Sequence, residues 1–99
     1  MSAPREVRVT ESFFVQLDLQ LQRERGADGQ PSSADFIAFD LPSIVTEFAG
    51  RFEELPEAIP GVTTVRTLIG VGALVPAYVV HGTETSDGIV ELIGIELDV

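Results

Sequence analysis

The clearest alternation of apolar and polar positions lies in the last third of the chain, which reads VTTVRTLIGV-GA-LVPAYVVHG-TETSDG-IVELIGIELDV from Val62 to Val99. β-Branched and aromatic residues form three runs separated by glycine-containing turns, the composition of strands joined as an antiparallel meander. A two-residue turn at Gly72-Ala73 would pair Val71 with Leu74, Thr67 with Tyr78, Arg66 with Val79 and Thr64 with His81. That register predicts one face with Val65, Ile69, Val71, Leu74, Tyr78 and Val80, and another with Arg66, Leu68, Val75, Ala77, Val79 and His81. Pro76 has no amide hydrogen, so its nitrogen belongs at an edge, a bulge or in solvent. Ser86-Asp87-Gly88 predicts the second hairpin turn. Beyond it Ile89, Ile93, Ile95 and Leu97 alternate against Val90, Leu92, Gly94, Glu96 and Asp98.

Upstream, Val7 and Val9 flank Arg8 in a short alternating run that suits a first strand. Thr10 can cap a following helix, with Glu11 in its first turn near the positive end of the dipole. From Glu11 to Arg25 two templates fit. Phe13, Phe14, Leu17 and Leu21 form a helical stripe, whereas Val15, Leu17, Leu19 and Leu21 alternate with Gln16, Asp18, Gln20 and Gln22 as in a strand. Periodicity leaves residues 13–22 open between the two; the richness in Leu, Gln, Glu and Arg, with no Gly or Pro before Gly26, favours the helix. Gly26 to Ser33 collects loop-forming residues. Ser32 followed by Asp35 is a helix start, and Phe36, Ile37, Leu41, Ile44, Val45, Phe48 and Phe52 form a wide apolar stripe. Pro42 must kink or restart that helix, and Leu55-Pro56 ends it. The expected fold is therefore α+β, one domain over 1–99 in the order β-α-α-β-β-β, with a four-stranded, mainly antiparallel sheet packed against two helices.

Charge adds a second layer. The formal net charge is -10, and every base is an arginine. Residues 1 to 25 balance, whereas the remainder holds twelve acids against Arg51 and Arg66. Such a surface repels phosphate backbones, which need clustered cations, and argues against direct nucleic-acid binding. The simplest reading of the acids is a solvated surface, with a basic protein partner as the alternative. No apolar run reaches the roughly 20 residues of a membrane span, and no signal-peptide core is visible, so the cytoplasm is the default location.

Candidate chemistry is sparse. One histidine and no cysteine cannot make an ordinary zinc site, the acids form no calcium loop, and Gly70-Val71-Gly72 lacks the following helix of a phosphate-binding loop, so no metal or cofactor is expected. The catalytic candidates are His81 as a general base, Arg66 on the same expected face to bind an anion, and Tyr78 nearby on the other. A lone strand-end histidine is more often structural. A sheet apolar on both sides is a better candidate for binding a protein partner or a further copy in a homo-oligomer, which singles out Leu68, Val75, Ala77 and Val79.

The element order, together with V-R-T-L-I-G-V-G-A-L-V-P-A-Y-V-V at Val65 to Val80, resembles the toxin superfamily of RelE and ParE. Arg66 matches an arginine that commonly opens the second strand, Gly70 and Gly72 fall near the family's turn glycine, and Tyr78 falls near an aromatic of the third strand. The resemblance implies the toxin half of a type II toxin-antitoxin pair, masked by a cognate antitoxin, with one branch cleaving messenger RNA on the ribosome and another poisoning DNA gyrase. This chain has no lysine, and Ala73-Leu74 stands where the family often has an arginine. These departures point away from RNA cleavage and towards action through protein binding. The other reading is an acidic, non-enzymatic interaction module that shares only the fold.

Overall fold

The computed structural model describes residues 4–21 and 31–98. Their order is β1 (Val7–Val9), α1 (Glu11–Gln20), α2 (Ser33–Phe39), α3 (Leu41–Arg51), a 3₁₀ turn (Phe52–Glu54), β2 (Val65–Gly70), β3 (Ala77–Glu84) and β4 (Val90–Asp98). The α+β class and the order of elements are as the sequence predicts. The four strands form a mixed sheet in the order β1-β4-β3-β2. β2, β3 and β4 run as an antiparallel meander, and β1 pairs parallel to β4 through Val7 with Val90 and Val9 with Leu92.

Local signals decide where the helices begin. Thr10 caps α1, its hydroxyl accepting from the Phe13 amide, and Phe13, Leu17 and Leu21 are buried while Leu19 is 81% exposed. The helical stripe has therefore won over the strand alternation across residues 11–20. The helix stops at Gln20, short of the expected Arg25, because Leu21 turns extended (φ -124°, ψ 145°) as its C-cap; residues 22–30 lie outside the described residues. At Ser32 a full capping box forms with Asp35. Pro42 then sits at the start of a new helix, so the long apolar stripe is split into α2 and α3, as a missing amide hydrogen requires.

All three helices cover one face of the sheet. Phe13, Leu17, Phe36, Ile44 and Phe48 pack there against Tyr78, Val80, Val90, Leu92 and Ile95. Gly82 makes room for α3: a Cβ on it would lie 2.5 Å from the Phe48 ring.

The register differs from the expected one. Thr67 pairs with His81, three positions further along β3 than Tyr78. The connection is a six-residue loop, 71–76, instead of a two-residue turn, and its shape is imposed from a distance. The buried Asp40, between α2 and α3, accepts from the amides of Ala73 (2.6 Å) and Leu74 (3.1 Å). An odd shift exchanges the partners across the sheet, so Tyr78 and Val80 share a face with Leu68, and Ile69 shares one with Val79 and His81. The second turn is as expected, with Gly88 at φ 82° and its amide donating to the Thr85 carbonyl. A bulge opposite His81 and Gly82 then adds one residue to β4, which brings Ile95 onto the same buried face as Val90 and Leu92. Strict alternation through Ile93 had placed them on opposite faces.

β1 covers the edge of β4 only as far as Leu92, and α1 closes the rest. The Gln16 amide accepts from Ile95 N (3.0 Å) and donates to the Ile93 carbonyl (3.4 Å). The Gln20 amide accepts from Leu97 N (2.6 Å) and donates to the Ile95 carbonyl (2.8 Å). One helical step of four residues rises about 6 Å, close to the roughly 6.7 Å of two strand residues, so successive glutamines meet successive outward-facing peptide groups.

Candidate functional site

The three catalytic candidates are not brought together. Arg66 and Tyr78 lie on the helix-covered side, but Arg66 is opposite Gly82 and Tyr78 is opposite Gly70. Those positions are four residues apart, about 13 Å along the strand. His81 points to the other side of the sheet. The expectation of Arg66 and His81 on one face is overturned by the register, because Thr67, not Arg66, pairs with His81.

Each candidate instead has a local structural partner. Arg66 donates to the carbonyls of Leu55 (2.9 Å) and Thr63 (2.9 Å) and lies 5.8 Å from the centre of the Phe52 ring. Arg5 approaches the same ring at 5.2 Å and pairs with Glu53 and Glu84. A buried phenyl ring is thus held by two guanidinium groups, a favourable contact between cation and π-face. Arg5 also holds the Glu53 carboxyl below the usual carboxylate range, chiefly through its hydrogen bond. Arg51 is held by Glu54 and Glu47, which raise its already high pKa, and Arg8 pairs with Glu6. All four described arginines are thereby engaged by carboxylates or carbonyls.

Tyr78 is buried, and its hydroxyl lies 2.6 Å from where a Cβ on Gly70 would be. Desolvation raises its pKa, reinforced by the charges of Asp40 and Glu47. His81 shares a hydrogen bond with Thr67, Nδ1 to Oγ1 at 3.0 Å. The binding candidates are split between the two faces: Val75 is buried in the core, Leu68 packs against the core, and Ala77 and Val79 are half-buried on the side away from the helices.

That helix-free side is the candidate functional surface. No described helix packs on it. The register sets Ile69 beside Val79 and Val79 beside Glu96, Thr67 beside His81, Ala77 beside Asp98, and Arg8 and Thr83 on either side of Glu91. The result is an apolar centre bordered along β4 by Glu91, Glu96 and Asp98. A shallow depression of ≈ 190 Å³ at its end touches Ala77, Tyr78, Val79, Glu96, Leu97 and Asp98. It is smaller than the roughly 300 to 1,000 Å³ typical of small-molecule sites, so the surface suits a macromolecular contact better. Among the described residues no three His, Cys, Asp or Glu side chains are placed to hold a metal ion, and no helix is long and apolar enough to cross a membrane.

Asp40 and the glutamines of α1 are the working polar side chains that sequence reasoning missed. Asp40 carried a usable signal, a single acid directly before the Leu41-Pro42 helix start. No family model matches this chain, and neither a curated protein nor a solved structure matches it significantly.

Proposed function

We propose that this chain acts by binding another protein through the helix-free face of its sheet, as a non-nucleolytic, toxin-like partner of a basic antitoxin-type protein. The observation that carries the reading is that face: an apolar centre at Ile69, Ala77 and Val79, bordered by Glu91, Glu96 and Asp98. Apolar contacts there supply the area to be buried, and the acids favour a partner bearing Lys or Arg. The order β-α-α-β-β-β supports the toxin-like reading. Its non-nucleolytic character is supported by the separation of Arg66, Tyr78 and His81 and by the engagement of every described arginine. The interaction module without toxicity remains the second reading, favoured by the net charge of -10.

Induced expression in a bacterial host tests the proposal. The expected outcome is growth arrest, relieved by co-expressing the protein encoded beside it, and loss of both arrest and binding in Val79→Lys with an unchanged circular dichroism spectrum. Normal growth with abundant folded protein would eliminate the toxin-like reading and leave the interaction module.

A further inference from the structure

We propose that the outer edge of β2 is a self-pairing site, at which two copies of the chain join antiparallel around Ile69 to Val71 and continue their sheets into one of eight strands. The hydrogen-bond pattern locates the free groups. Glu84 N donates to the Thr64 carbonyl across the hairpin, so the even-numbered residues of β2 bond to β3 and the odd-numbered ones turn their backbone groups outward. Val65 and Thr67 are met on the outside by Ala58 and Pro56, at 3.0 and 2.9 Å. Ile69 meets no described residue on that side.

The side chains at this end are also uncovered, Ile69 being 69% and Val71 80% exposed. Sheet edges are commonly guarded by charge, proline, a bulge or a covering segment, and the stretch Ile69-Gly70-Val71 has none of these.

Charge identifies the occupant. The fourteen residues from Thr67 to Val80 contain no acid and no base, in a chain carrying -10. The residues of the stretch itself offer a basic partner no carboxylate. A second copy is repelled by its own acids over most other approaches and meets no such penalty at this corner. An antiparallel strand edge is also complementary to itself about a twofold axis. Ile69 also lends its side chain to the helix-free face, whereas pairing at this edge is made by its outward-facing backbone groups, and the inference does not rest on the toxin-like reading.

Sedimentation of the full chain from micromolar to millimolar concentration tests it. The expected result is a reversible monomer–dimer equilibrium that strengthens with salt, because screening reduces the repulsion between the two acidic bodies. Ile69→Lys sets like charges near the axis and should raise the dissociation constant by about tenfold or more. In the wild-type chain, amide exchange at Ile69 should slow as concentration rises, a measurement independent of whether the variant folds. A wild-type chain monomeric throughout would overturn the proposal. So would a dimer indifferent to a folded Ile69→Lys, or exchange at Ile69 unaffected by concentration.

Discussion

The two margins of the sheet are treated in opposite ways. On the β4 side outward-facing peptide groups are met from Val90 as far as the Leu97 amide, first by β1 and Thr10 and then by the glutamines of α1. On the β2 side, Pro56 to Ala58 cover Thr67 and Val65 and leave Ile69 open. Both coverings come from outside the meander, but that of β4 reaches nearly the end of its strand whereas that of β2 stops at Thr67. The contrast shows that edge protection here is a property of what lies beside a strand, not of the strand's own composition: β4 and β2 are both rich in Ile, Leu and Val.

Three perturbations sharpen this contrast, in descending order of effect. Phe52→Ala removes the ring that Arg5 and Arg66 grip and should cost about 3–5 kcal/mol. Amide exchange at Ala58 and Thr67 should accelerate beyond what the loss of global stability explains, because the covering of β2 is anchored there. If those amides follow global unfolding alone, Phe52 is a core residue and nothing more. Next, Gln20→Ala strands the Ile95 carbonyl and Leu97 amide and should cost about 1–3 kcal/mol, measurable by urea denaturation. A change within error would show that water replaces the glutamine without penalty and that the β4 margin is less sealed than its hydrogen bonds imply.

The smallest effect concerns Tyr78, which packs against Gly70 at the open end of β2. Its raised pKa means that the fold favours the neutral phenol. The associated stability is complete below the ordinary tyrosine value near 10 and declines as pH climbs through the higher folded value. The chain has one tyrosine and neither lysine nor cysteine, so no other side-chain type ordinarily titrates in that window. Denaturation midpoints should therefore fall on the alkaline side in the wild type and stay flatter in Tyr78→Phe. Equal slopes would remove Tyr78 from the account.

Features set by neighbouring residues were legible in the sequence. The Thr10 cap, the Ser32–Asp35 box, the restart at Pro42 and the turn at Gly88 each depend on a few adjacent positions and appear as expected. The register of β2 with β3 was not legible, because Asp40 shapes the intervening loop from more than thirty residues away. Nor was the break in alternation along β4, since a bulge reflects the mismatch of two strands and not a signal in either. For the candidate site the same distinction holds. Arg66 and Tyr78 were recognisable as noteworthy, but their roles depend on Phe52 and Gly70, partners that only the folded chain supplies. The helix-free face was anticipated as an apolar second side, whereas its membership changed with the register.

The glutamine contacts of α1 work like a vernier. Helix and strand advance by about 6.0 and 6.7 Å per shared step, so two divisions coincide and each further one slips by roughly 0.7 Å. A third glutamine would sit more than 1 Å out of step with its peptide group, outside the narrow span of good hydrogen-bond lengths. A straight helix can therefore stand in for about two contacts of a missing strand and no more. That limit sets how far β4 can extend past β1 before its edge needs a true strand beside it.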